Sequence, residues 1–254
     1  YLRQQGIDAE QTDLEGLSNL GQGHPYLLKF AASWLQETTK GRLDESSLDF
    51  FERLFQQSRD DTGLAAHLTT SESQVEQIFR LLLARLVPQQ RELLLAVSVY
   101  RKPFSRLQVQ AMDAQATDAD LQALTERGFL IAQEHSWTLH PLVKTLVNAE
   151  LQTTGQAAAA HQQAVTYFAE RLQEENVALE DILECFYHHA QLQDYSAAYA
   201  VIEPATDWLD RQGFYQILVS LYGQLVTAWQ AHAPSTAEAQ RRFANSLGNL
   251  GNAY

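Results

Sequence analysis

One interruption constrains this chain more than any other feature. Helical patterning runs through nearly all of it, yet residues 127–147 read RGFLIAQEHSWTLHPLVKTLV. Phe129, Leu130 and Ile131 form a short β-prone run, and Trp137, Thr138 and Leu139 form a second, with polar residues between them. A helical pattern resumes after His140-Pro141. Two strands alone are marginal in water, so the hairpin must lie against something. Leu130, Trp137 and Leu139 are the side chains able to cover the end of a helical core. The fold class expected is mainly α, with one small β-hairpin closing a helical module.

The helices before the hairpin follow from apolar spacings of three and four. Leu14, Leu17 and Leu20 mark one; Tyr26, Leu27, Phe30, Ala31, Trp34 and Leu35 mark another. Gly21-Gln22-Gly23-His24-Pro25 separates them. Proline costs nothing in a first helical turn, because its missing N–H would be unpaired there anyway, so Pro25 is expected to open a helix ending near Glu37. A short helix spans Asp44 to Phe55. The polar run 56–72 makes a boundary. Val75, Ile78, Phe79, Leu82 and Leu86 then share a helix face, and Pro88 begins a helix with Leu93, Leu94, Val97 and Tyr100 inward. Pro103-Phe104-Ser105 reads as a turn with Ser105 capping a helix through Leu107, Val109 and Met112. Thr117 or Asp118 caps the next helix, Leu121 to Arg127, which Gly128 ends. From Pro141 a further helix turns Leu142, Val143, Leu146 and Val147 inward. Helices followed by a two-stranded hairpin make a winged-helix domain.

Residues 157–254 are helical throughout and weakly self-similar. Gln193-Asp194-Tyr195-Ser196-Ala197-Ala198 sits where a tight turn would join two antiparallel helices, and the chain closes on Asn249-Leu250-Gly251-Asn252-Ala253-Tyr254. Repeat starts at 179 and 244 lie near twice a period of about 34, the tetratricopeptide length. Ala198, Ile202 and Ala205 then pack a second repeat helix on the first. Residues 213–229 are the first helix of a middle repeat, and 231–239 its loop or a divergent second helix. The domains expected are a helical lid over 1–60, a winged helix over 61–152, and tetratricopeptide-like repeats over 157–254. Because the chain starts at Tyr1 and stops within a helical pattern, it reads as a piece of a longer protein.

Composition excludes several classes. Eighteen Lys and Arg against 31 acidic residues give a formal net charge of −13. That balance opposes nucleic acid, whose phosphates need basic surface, and anionic lipid. The helix 117–128 carries one Arg but also Asp118, Asp120 and Glu126, the wrong sign for reading DNA. One cysteine, Cys185, forbids an internal disulfide and suits a reducing, cytoplasmic setting. No apolar run nears the roughly 20 residues a membrane span needs.

Three motifs together resemble one family. Gly23-His24-Pro25-Tyr26-Leu27-Leu28 is similar to a glycine-x-proline-leucine lid motif, Leu139-His140-Pro141-Leu142-Val143 to a histidine motif after a winged-helix hairpin, and residues 249–254 to the first helix of a tetratricopeptide repeat. In this order they resemble the STAND-type P-loop ATPases, signalling proteins related to the NB-ARC ATPases of plant resistance and apoptosome proteins and to bacterial regulators. The resemblance implies that Pro25 packs on the adenine and His140 reaches the β-phosphate of ADP held by an upstream domain. Plant and apoptotic members carry Asp after the histidine; here Pro141-Leu142 follows, as in many bacterial members. No G-x-x-x-x-G-K-[ST] stretch occurs, so phosphate and Mg²⁺ ligands would lie before residue 1. This chain alone is expected to be no enzyme and to hold ADP or ATP only in the context of that domain.

Other candidates resolve to structure. Glu184 and His188 share a helix face, but His189 points about 100° away, so a metal pair lacks a third ligand. His188-His189 is expected on a repeat-helix surface; His161 and Tyr167 are structural; Glu174-Glu175 and Glu180-Asp181 are solvated. No G-x-S-x-G elbow occurs. Two further readings stay open: a nucleotide-independent tetratricopeptide scaffold binding a protein partner, and a winged-helix transcription regulator. Partner, effector and oligomeric state are not written in the sequence.

Overall fold

A computed structural model describes residues 1–20, 25–60, 80, 83–139 and 141–253. The expected turn over 21–24, the apolar face of Val75, Ile78, Phe79 and Leu82, and His140 fall outside the described residues. Among the described residues the fold is mainly helical with one small sheet, and the chain divides into two units, Tyr1–Thr153 and Thr154–Tyr254.

The first unit opens with a 3-10 turn, Arg3–Gln5, followed by α1 (Gln11–Leu20), α2 (Pro25–Thr39) and α3 (Glu45–Asp60). Pro25 does start α2, and the helix runs two residues past Glu37. The apolar spacing buries Leu14 and Leu17 of α1, Ala31, Ala32 and Leu35 of α2, and Phe51 of α3. Trp34 stacks on Phe50 with ring centroids 4.5 Å apart. Arg85 lies 5.5 Å over the same indole, a cation–π contact. Asp44 begins α3 by accepting from Ser47 N and Ser47 Oγ at 2.8 and 2.6 Å. Those bonds hold its carboxyl below the ordinary range.

Pro88 starts α4 (Pro88–Val97), whose Leu93, Leu94, Leu95 and Val97 are buried. Then come β1 (Phe104–Ser105), α5 (Arg106–Met112), α6 (Asp118–Glu126), β2 (Leu130–Ala132), β3 (Ser136–Leu139) and α7 (Pro141–Thr153). Both α5 and α6 begin with complete capping boxes, Ser105 with Gln108 and Thr117 with Asp120. The expected hairpin is present, and it gains a third strand. The sheet order is β1-β3-β2, antiparallel, with Phe104 opposite Trp137 and Leu130 opposite Leu139. Residues 103–105 are therefore not a simple turn. Two residues are too few to show alternation, so the strand is invisible in sequence and is fixed by the burial of Phe104.

Leu130 and Leu139 are buried and Trp137 half-buried, so the ribbon seals the helical core. Leu107 is not part of that core; it is 65% exposed, while Val109 and Met112 face inward. Two contacts tie α7 back to α4: Lys144 Nζ donates to the Tyr100 carbonyl at 2.6 Å, and Arg91 pairs with Glu150. Gly128 ends α6 at φ 81°, the left-handed turn that glycine adopts without steric cost.

The second unit is α8 (Ala157–Arg171), α9 (Leu179–Gln191), α10 (Tyr195–Ile202), a 3-10 turn (Glu203–Ala205), α11 (Thr206–Arg211), α12 (Tyr215–Ala231) and α13 (Ala237–Ala253). Helix α9 packs on α8 and α10, and α12 on α13. Asp194 caps α10, its side chain accepting from Ala197 N at 2.9 Å. One core joins Phe186, Ala198, Tyr199, Ile202, Leu209, Leu221, Tyr222, Leu225 and Trp229. Residue 244 does not start a helix. Helix α13 begins at Ala237, because Thr236 Oγ1 accepts from Ala239 N and opens it there. The described part of the motif, 249–253, thus lies in the second half of a helix, and the divergent stretch 231–239 divides into a loop and a helical turn. Ala205 lies in the 3-10 turn, where proline at 204 interrupts regular helix.

Candidate functional site

The second unit carries a groove of about 630 Å³. Ala169 of α8, Ile182, Cys185 and His189 of α9, Val201 of α10 and Trp208 of α11 line it. Four successive helices present mostly small or apolar residues to it, which leaves a trough between them. Trp208 is 39% exposed at its edge, a large apolar surface held in water. The Nδ1 atom of His189 is buried with no hydrogen-bond partner among the described residues. Burial lowers that imidazole's pKa, with Asp194 opposing the shift. Burial also pushes the Cys185 thiol up to about 11, so it is neither a nucleophile nor a ready metal ligand at neutral pH.

Between α8 and α9 lies a buried polar cluster. His161 Nδ1 and His188 Nδ1 stand 2.9 Å apart, and His188 Nε2 is 3.9 Å from Glu184 Oε2. With both rings neutral, one Nδ1 donates and the other accepts; two N–H groups would oppose each other. Burial keeps His161 on the neutral side by lowering its pKa. His188 is therefore not on a repeat surface but wholly buried, with the Phe168 ring stacked on it at 5.7 Å. Asp181, expected in solvent, is buried and lies 3.4 Å from Arg171. The reason is the same in both cases: the helix face that looks polar in sequence is covered by α8. Among the described residues no group of three His, Cys, Asp or Glu side chains could hold a metal ion.

The two residues singled out for nucleotide both belong to the first unit. Pro25 is the first residue of α2, and His140 lies between Leu139, the end of β3, and Pro141, the start of α7. Sequence reading passed over Lys29, one turn beyond Pro25. Its signal was available: positions 25, 26, 32 and 33 hold Pro, Tyr, Ala and Ser, so the helix supplies no acid to pair with it.

No family model matches the chain, and no curated protein matches it. Among solved structures, the chain is similar to the crystal structure of a signal transduction ATPase with numerous domains (STAND) protein with a tetratricopeptide repeat sensor, from Pyrococcus horikoshii. The match has a TM-score of 0.50 and 13% identity. It covers 90% of this chain and 34% of that protein, so the chain spans about a third of its structural relative. The likeness is one of fold: a mainly helical chain with a small sheet. Among the described residues no helix is long and apolar enough to cross a membrane.

Proposed function

We propose that this chain is the regulatory and protein-interaction segment of a STAND signalling ATPase. In this reading residues 1–60 form a helical lid, 61–152 a winged helix and 157–254 a tetratricopeptide-like sensor. The observation that carries it is the structural likeness over 90% of the chain to a protein that combines a STAND ATPase with such a sensor. The order of elements supports it: helix, short strand, two capped helices, then a hairpin pairing with that strand is the order of a winged helix.

The mechanism follows from two surfaces. Lid and winged helix close over ADP bound by an upstream domain, with Pro25 against the adenine and His140 donating to the β-phosphate. The repeat groove takes a protein partner, with Trp208 and Ile182 as apolar anchors. The partner opens the closed state only by the difference between its affinities for open and closed forms. Catalysis belongs to the upstream domain.

The test joins this chain to its natural upstream sequence and measures ADP affinity by calorimetry. A hydrogen bond to a charged phosphate contributes about 1.5–3 kcal/mol, so His140→Ala should weaken ADP roughly 10- to 100-fold. Unchanged affinity would remove the nucleotide role and leave a scaffold that binds through the groove alone.

A further inference from the structure

A second cavity, of about 520 Å³, lies within the first unit between α2 and the end of α6. Lys29, Ser33 and Gln36 of α2, Gln5, Glu126 and Arg127 reach its wall. Lys29 is half-buried, and its stem crosses the turn at Gly128 so closely that a Cβ there would stand 3.0 Å from Lys29 Cε. Among the described residues no hydrogen bond or ion pair reaches its ammonium. A half-buried cation without a counter-charge costs free energy that an anion would recover. The other groups are held in place. Gln36 Nε2 donates to the carbonyls of Gln5 and Gly6 at 2.9 and 3.1 Å, and Arg127 Nη1 donates to Gln90 Oε1 at 2.8 Å. Glu126 is exposed at the rim and accepts from Gln122 Nε2 at 2.7 Å, which directs one carboxylate oxygen along the helix.

We propose that this cavity binds a phosphate-bearing anion, with the Lys29 ammonium as its principal counter-charge and the Ser33 hydroxyl as a further donor. The size favours a phosphate ester or diphosphate over a lone carboxylate, since small-molecule sites occupy roughly 300–1,000 Å³. A compact ammonium with a hydroxyl one turn along the same helix matches the oxygens of a phosphoryl group. Burial lowers the Lys29 pKa; a bound anion would reverse that shift. The site requires neither Pro25 nor His140 nor any upstream domain, so it stands or falls apart from the ATPase reading.

The experiment titrates the 254-residue chain with sodium pyrophosphate at fixed ionic strength, followed by calorimetry, with adenosine and AMP as parallel arms. Wild type should bind pyrophosphate and AMP but not adenosine. Lys29→Met keeps the stem over Gly128 and should weaken pyrophosphate at least tenfold. Arg241→Gln, the same charge change on an exposed site of the second unit, should leave it unchanged. On the wild-type chain, pyrophosphate should also slow acylation of Lys29 relative to Lys40, read by mass spectrometry. Equal affinity in Lys29→Met, adenosine binding as well as AMP, or no protection of Lys29 would overturn the site.

Discussion

Replacing Gly128 by alanine should destabilise the first unit through two separable terms. The first is local. At φ 81° an L-residue carries a left-handed penalty of about 1–2 kcal/mol. The second is tertiary. The new methyl would stand 3.0 Å from Cε and 3.1 Å from Cδ of Lys29, closer than packed carbons sit. The lysine stem can swing away, but it then returns about two methylenes to water, at about 0.8 kcal/mol each. The total is about 2.5–3.5 kcal/mol, a fall of roughly 5–14 °C in melting temperature for a unit of this size. The assay is urea unfolding followed by tryptophan fluorescence, with Trp34 and Trp137 reporting on this unit. Gly128→Ala is measured alone and with Lys29→Ala. In the double variant only the backbone term should remain, so the glycine substitution costs about 1–2 kcal/mol there. A neutral Gly128→Ala would refute the backbone argument. An equal cost in both backgrounds would refute the contact with Lys29.

Two further outcomes concern the repeat unit. Burial depresses the pKa values of His161 and His189 below the ordinary 6.5, so the folded state binds fewer protons than the unfolded chain. Their contribution is complete above about pH 6.5 and is lost as pH falls below it. The urea midpoint should therefore drop between pH 7.5 and 5.5, less steeply in His161→Gln, and a midpoint that rises on acidification would contradict the assignment. Cys185, with its thiol raised to about 11, is about one part in a thousand thiolate at pH 8. Iodoacetamide should leave it unmodified in the folded chain and label it at the ordinary rate only in urea; fast labelling of the native protein would show that the groove opens.

Legibility tracked the range of the interaction that decides each feature. Starts marked by proline or a capping hydroxyl were readable because they are satisfied within four residues: Pro25, Pro88, Ser105 and Thr117 act where the sequence places them. The hairpin was readable for the same reason, since its strands are near neighbours. Strand β1 was not, because its partner Trp137 lies 33 positions away. Helix α13 was misplaced because its repeat signature lies inside it, while Thr236 sets its start.

The sequence by itself determined the helical composition, the ribbon at 129–139 and most helix starts, since local periodicity and capping are written in adjacent residues. Only the tertiary structure decided which polar side chains leave water. His188 and Asp181 are buried because α8 packs over α9, and Lys29 stands without a described partner because α2 turns it toward Gly128. Burial and pairing depend on which helix faces which. That choice is made by summed apolar contacts over distant segments, a quantity no short window of sequence contains.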